Sequence, residues 1–288
     1  MNSYIHNCMK IIVFTDLDGT LLDEDGSLTT ALPVLSSARV KHIPVIFVTS
    51  KTCAEVEIIQ KRLDMWGTVP FVIENGGAVY IPAGYFRPSI LKRAHAPETS
   101  YGGMFWKIPF GSPYEDVRRV MHEAAETTGY KVQGIGDMSV AKFADYTGLP
   151  YELAMRGKRR EYQEGYLILI DKGHLPEAQH AMDAEIRKRG YDSTIGGGFC
   201  HIMKGGTKEK AVQILIDLYR IAYREVVTIG FGDAQSDVGF LSVCDEGYLV
   251  SNPSRLIDIQ TVPESVTRLA ENGPRAVQAV LHEKIAHL

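Results

Sequence analysis

Cysteine is scarce. The four in 288 residues, Cys8, Cys53, Cys200 and Cys244, stand far apart and form no Cys-x-x-Cys pair. That spacing argues against a disulfide framework or a cysteine-based zinc site and fits reduced thiols in a cytoplasmic protein. Long apolar runs are missing too, and none approaches the roughly 20 residues that a membrane helix needs. The first ten residues contain Asn2, Ser3, His6 and Asn7 and no apolar stretch, so they do not read as a secretory signal. Neither sign of charge dominates. With 31 Lys and Arg against 35 Asp and Glu, the net charge of -4 gives no general pull toward nucleic acid or an anionic membrane. Any anionic ligand must therefore meet a local cluster of positive charge. There is no internal repeat and no low-complexity linker. What remains is an ordinary globular composition, 45% hydrophobic and 23% charged, long enough for one large domain or two medium ones.

The first strong signal is Ile11-Ile12-Val13-Phe14-Thr15, a β-branched and aromatic run. A near-continuous apolar strand of this kind suits a buried parallel sheet. A helical stretch over 30–42, a strand over 44–48, a helix over 54–65 and a strand over 69–73 follow. Strand alternating with helix predicts an α/β fold with a doubly wound, Rossmann-like parallel sheet. The pattern returns late, with a helix over 208–223, strands over 225–229 and 248–250, and a closing helix over 275–285 behind Pro274. Between the two halves the texture changes. Helices over 114–127, 139–147 and 175–189 and strands over 166–170 and 199–203 predict an inserted α+β domain. The expected division is 1–87 and 204–288 for the sheet domain and 88–203 for the insertion.

Asp16-Leu17-Asp18-Gly19-Thr20 closes the first strand, at the carboxyl end where open α/β sheets place their ligands. Carboxylates at i and i+2 of an extended segment project to one side, and Gly19 lets the backbone turn away. A lone Asp there would be an ordinary turn residue. Two acids followed by Gly-Thr at a buried strand end form a much narrower pattern.

This motif resembles the first motif of the haloacid dehalogenase (HAD) phosphatase superfamily. The resemblance implies three further motifs, and candidates stand in order. Thr49 and Ser50 end the second strand, as residues that would hydrogen-bond a phosphoryl oxygen. Lys204, Lys208 and Lys210 are candidates for the phosphate-neutralising lysine, and Lys208 fits best because Lys-x-x-Ala opens its helix. Asp233 and Asp237, in Gly232-Asp233-Ala234-Gln235-Ser236-Asp237, supply the acids after a later strand. The resemblance makes Asp16 the nucleophile of an aspartyl-phosphate intermediate and Asp18 the general acid and base. It also implies Mg²⁺ as cofactor, held by Asp16, the Asp18 backbone carbonyl and Asp233, with Asp237 as an indirect or water-mediated partner.

An insertion between the second and third motifs resembles a C2-type cap, which would govern substrate specificity. Further segments occur in order: Ser50-Lys51-Thr52 with Ala54-Glu55, Glu74-Asn75-Gly76-Gly77, Gly136-Asp137-Met138-Ser139, Thr147-Gly148-Leu149 and Arg160-Glu161-Tyr162-Gln163-Glu164. Together they resemble the mannosyl-3-phosphoglycerate phosphatase family over most of the chain. That implies a small phosphorylated sugar-glycerate substrate, released as the compatible solute mannosylglycerate. Glu74, Asn75 and Gly76 are candidate substrate contacts, with a plain turn as the other reading. Lys158, Arg159, Arg160 and Glu161 are further candidates, or else a solvated charge run. His201 reads as a core or cap-floor residue. Three positions depart from the family pattern: Gly165 replaces Pro, Gly198 replaces Arg, and Ala234-Gln235-Ser236 replaces small-Pro-Asn. Other sugar-phosphate or sucrose-phosphate phosphatases, a HAD-fold phosphomutase and a binding or regulatory relative stay open alternatives.

Overall fold

The computed structural model describes residues 9–93, 98–196, 198–255 and 257–286. Its strands, in chain order, are β1 (Lys10–Thr15), β2 (Val45–Phe47), β3 (Phe71–Ile73), β4 (Ala78–Pro82), β5 (Glu98–Ser100), β6 (Phe105–Pro109) and β7 (Val132–Gly134). They continue as β8 (Gln163–Ile168), β9 (Asp192–Gly196), β10 (Phe199–Met203), β11 (Val226–Gly232), β12 (Glu246–Ser251) and β13 (Val266–Asn272). The chain separates into two compact units. One contains the described residues of 1–49, 67–108 and 208–288; the other contains 50–66 and 109–207.

The first unit is built on a parallel sheet in the order β13-β12-β11-β1-β2. β1 has strands on both sides, and Ile12, Val13 and Phe14 are fully buried, which is why its sequence is continuously apolar rather than alternating. Its register sets Thr15 opposite Phe231 of β11 and Phe47 of β2, so the carboxyl ends of three strands come together. The expected third parallel strand takes a different place. β3 meets the end of β2 through a single parallel bridge, Val48 to Val72, and pairs antiparallel with β4. It thereby opens a second sheet, β3-β4-β6-β5, whose Phe71 and Tyr80 rings stack 5.0 Å apart. β13 was not expected, because most of this edge strand is exposed and it carries no apolar run.

The second unit is α+β. Its antiparallel sheet has the order β7-β8-β10-β9. The helices Tyr114–Thr128 and Leu175–Lys188 share a core with that sheet. Val117, Val120, Met121 and Ala124 follow helical spacing, so one stripe of the first helix is buried. Gly129, at φ 76°, ends it with the left-handed residue such a stop favours. A helix over Tyr151–Gly157, which the sequence pattern did not predict, leads directly into the charge run at Lys158. Relative to the expected boundaries, 88–108 groups with the parallel-sheet unit, while 50–66 groups with the inserted one.

The cysteines Cys53, Cys200 and Cys244 are free; Cys8 lies outside the described residues. Among the described residues no helix is long and apolar enough to cross a membrane.

Candidate active site

The parallel-sheet unit gathers the acidic motifs at strand ends. Asp16 directly follows β1, and its backbone N–H donates to the Phe231 carbonyl at 2.9 Å. Asp233 directly follows β11. Lys208 is the first residue of the helix Lys208–Ala222. Its ammonium donates to Asp16 Oδ1 at 2.8 Å and to Asp237 Oδ1 at 2.7 Å. All four residues are buried. Of the three lysine candidates, Lys208 is the one whose ammonium meets Asp16.

Asp16, Asp233 and Asp237 each bring a carboxylate oxygen into one cluster, with these atoms within 4.8 Å of one another. Hard oxygen donors at this density suit a divalent cation such as Mg²⁺. The electrostatics agree. Burial, with Asp237 and Asp18 nearby, pushes the Asp16 carboxyl up to about 8 despite Lys208. Burial and Asp237 also raise Asp233. Lys208 stays charged, because its two carboxylates outweigh its desolvation. The cluster thus holds more negative charge than its ammonium cancels, which is the condition a bound cation relieves. The oxygens of Asp237 are largely committed. Oδ2 accepts from the backbone N–H groups of Asp233 and Ala234, both at 2.9 Å, and Oδ1 from Lys208. Asp237 therefore fixes the turn and the lysine, while Asp16 gives Lys208 only its Oδ1.

Close approach explains the glycines. Gly19 sits at φ +85°, and a Cβ there would run into Asp233 Oδ2 and Asn252. A Cβ on Gly232 would run into Asp237. Asp233 has three neighbours to which the sequence assigns no role toward it. Thr20 donates to Oδ1 at 3.3 Å, Asn252 donates to Oδ2 at 2.5 Å, and Arg255 Nε lies 3.6 Å from Oδ2. Thr20 belongs to the Asp16–Thr20 motif, but nothing local shows that it meets an acid 213 residues away. Asn252-Pro253-Ser254 reads as any loop.

The other predicted residues fall into two groups. Asp18 is partly exposed and close enough for its charge to raise Asp16. Thr49 is buried, and its carbonyl accepts from Asn75 N–H at 2.9 Å, which ties the Glu74–Gly76 turn to the end of β2. Glu74 and Asn75 both adopt left-handed φ, 46° and 56°, and Glu74 is fully buried. Two successive non-glycine residues held this way store strain, which is common where a loop must present groups. Ser50, Lys158, Arg159, Arg160 and Glu161 belong to the inserted unit. There, the Lys158 ammonium is spent on the carbonyls of Ile135 and, at 2.6 Å, Met138, so it secures the turn around Gly136. Arg159 is exposed and Glu161 half-buried. Arg160 Nε and Nη1 are buried without a hydrogen-bond partner, as is Oε1 of the fully buried Glu164. The other oxygen of Glu164 accepts from Tyr114 at 2.8 Å and Gly136 N–H at 3.2 Å. His201 is half-buried, and its Nε2 lies 2.9 Å from the Gly196 carbonyl.

Residues 13–90 match the family described as haloacid dehalogenase-like hydrolase. A glucosyl-3-phosphoglycerate/mannosyl-3-phosphoglycerate phosphatase of Methanococcoides burtonii is 36% identical over 267 residues, covering 92% of this chain and 94% of its own. The chain belongs to this phosphatase family. The Persephonella marina member of the same name is 34% identical over 88% of this chain and 89% of its own. The mannosyl-3-phosphoglycerate phosphatase of Pyrococcus furiosus is 30% identical over 84% and 91%. Solved structures agree on the fold. A Thermoplasma acidophilum protein superposes with a TM-score of 0.63 at 18% identity, over 96% of this chain and all of its own. The sucrose-phosphatase of Synechocystis gives 0.55 at 14% identity, over 97% and 98%.

Proposed function

We propose that the chain is a Mg²⁺-dependent phosphomonoesterase that removes the phosphate of a glycosyl-3-phosphoglycerate, with mannosyl-3-phosphoglycerate as substrate, through a phosphorylated Asp16. The observation that carries this reading is the Asp16–Lys208–Asp237 chain of ion pairs beside Asp233, at the ends of adjacent strands. Family membership supports the substrate.

The residues divide the work as follows. Lys208 holds Asp16 Oδ1, so Oδ2 is the oxygen that attacks phosphorus. As the bond from phosphorus to the leaving oxygen breaks, Asp18 donates a proton to that alkoxide. It later takes a proton from the water that hydrolyses the phosphoenzyme. Splitting the reaction into two displacements matters because phosphate monoesters are among the slowest esters to hydrolyse unaided. Thr49 and Ser50 donate hydrogen bonds to phosphoryl oxygens, and Lys208 balances their charge. Mg²⁺, when held by Asp16, Asp233 and the Asp18 carbonyl, keeps Asp16 ionised and offsets its repulsion from the incoming dianion. Asp237 keeps Lys208 aimed.

Substrate selection falls to the inserted unit. Arg160 is the cation best suited to read the glycerate carboxylate, because two of its buried N–H groups have no partner to lose. Lys158 supports the turn rather than the ligand, and Glu161 and the Glu74–Gly76 turn contribute to sugar recognition. A phosphate-release screen over glucosyl- and mannosyl-3-phosphoglycerate, sucrose phosphate and simple hexose phosphates tests the assignment. The two phosphoglycerates should be hydrolysed at least tenfold faster in kcat/KM than the others. Equal rates on hexose phosphates would move the chain to a broad sugar-phosphate phosphatase.

A further inference from the structure

Arg255 has no part in the reaction as described so far, yet its position is specific. Its Nε lies 3.6 Å from Asp233 Oδ2 on a side chain still 36% exposed. Its other guanidinium nitrogens make no hydrogen bond among the described residues, and the residue lines an open cavity of about 590 Å³. Among the described residues no carboxylate lines that cavity; the polar side chains there are those of Ser251, Asn252, Arg255 and Arg268. The loop that presents Arg255 is pinned. Asn252 Oδ1 accepts from Ser254 N–H at 3.0 Å, which fixes the amide so that Nδ2 points at Asp233. The Arg255 N–H in turn donates to the Asn252 carbonyl at 3.0 Å.

The charges ask for such a residue. Asp16, Asp233 and Asp237 carry three negative charges against one on Lys208. A divalent cation cancels the remainder. A phosphomonoester dianion then brings two more negative charges into a buried site with no further buried lysine or arginine among the described residues, and uncompensated charge there is costly. We infer that Arg255 supplies the missing positive charge. It holds Asp233 with one edge of its guanidinium and binds the phosphoryl group of the substrate with the other. This assignment rests on the phosphatase reading above. A guanidinium suits the task because its planar fork can serve two oxyanions at once, whereas an ammonium acts as a point charge.

The test uses inorganic phosphate as the probe on the full-length protein loaded with Mg²⁺. Phosphate affinity, from competitive inhibition of p-nitrophenyl phosphate hydrolysis and from calorimetry, is compared for wild type, Arg255→Ala and Arg255→Lys. Mg²⁺ affinity is titrated separately without phosphate. Loss of a half-exposed charged contact should weaken phosphate about tenfold in Arg255→Ala. Arg255→Lys should restore part of it. Mg²⁺ affinity of Arg255→Ala should stay level or tighten, since a cation next to the site has gone. Unchanged phosphate affinity in a folded Arg255→Ala or Arg255→Gln protein overturns the inference and leaves the phosphatase reading intact. So does a parallel loss of Mg²⁺ and phosphate, which would make Arg255 only a brace for Asp233. A wild-type protein with no metal-dependent hydrolysis of p-nitrophenyl phosphate would instead overturn the underlying reading, and this inference with it.

Discussion

Replacing Asp16 with asparagine should make the metal-free protein more stable while removing the nucleophile. The buried Asp16 carboxyl is pushed up to about 8, with burial the largest cause, whereas an aspartate in an unfolded chain titrates near 3.9. The native state therefore binds this proton more tightly than the unfolded state. A raised acid of this kind costs nothing while both states are protonated, below about pH 4. It then erodes stability as pH rises toward about 8, where the native carboxyl finally ionises. At about 1.4 kcal/mol per unit, the full shift sets a ceiling of roughly 5–6 kcal/mol. Asparagine gives up one of the two carboxylates that compensate Lys208, which takes back part of that gain. A net gain of about 2–3 kcal/mol at pH 8 is expected, or roughly 4–10 °C in Tm for a chain of this size. Thermal melts of both proteins in chelator between pH 4.5 and 8.5 measure it. The gap should open with rising pH and narrow when Mg²⁺ is added, because the cation favours the ionised wild type. An Asp16→Asn protein that melts below wild type at pH 8 in chelator would refute the reasoning and make the Lys208 ion pair a net stabiliser.

Other substitutions separate site geometry from substrate reading. Gly19→Ala should weaken Mg²⁺ about tenfold or more in calorimetry, with the circular dichroism spectrum unchanged, because its Cβ displaces Asp233 and Asn252. Arg160→Ala should lower kcat/KM for mannosyl-3-phosphoglycerate roughly 10- to 150-fold while sparing p-nitrophenyl phosphate, which has no carboxylate to read. Lys158→Ala should cost about 1 kcal/mol in denaturant unfolding and affect both substrates alike, since its ammonium serves two backbone carbonyls.

The sequence was informative where function and local structure coincide. The Asp16–Thr20 turn follows a strand buried on both sides, and a continuous β-branched and aromatic run is the pattern such a strand takes. Lys208 was legible because the first residue of a helix is a position that local pattern can locate. Residues 69–73 were read correctly as a strand but assigned to the wrong sheet. Nothing in Phe71-Val72-Ile73 distinguishes a parallel partner from the antiparallel one that β4 provides. The grouping of 50–66 with the inserted unit was hidden for a similar reason. It depends on contacts such as Thr52 Oγ1 donating to the Arg156 carbonyl across 104 residues. Thr20, Asn252 and Arg255 act on Asp233 through tertiary proximity alone, and a threonine, an asparagine or an arginine in a loop announces no chemistry by itself.

The proposed reaction is metal-dependent removal of phosphate from a glycosyl-3-phosphoglycerate, with Asp16 as nucleophile. The most direct measurement is single-substrate release of inorganic phosphate from mannosyl-3-phosphoglycerate by wild type and Asp16→Asn, each with Mg²⁺ and with excess chelator. Stoichiometric free phosphate and mannosylglycerate are expected from the Mg²⁺-loaded wild type. Chelated wild type should release essentially none, and the folded variant should be slower by several orders of magnitude in both conditions. Undiminished phosphate release by Asp16→Asn, or an isomerised sugar phosphate in place of free phosphate, would contradict it.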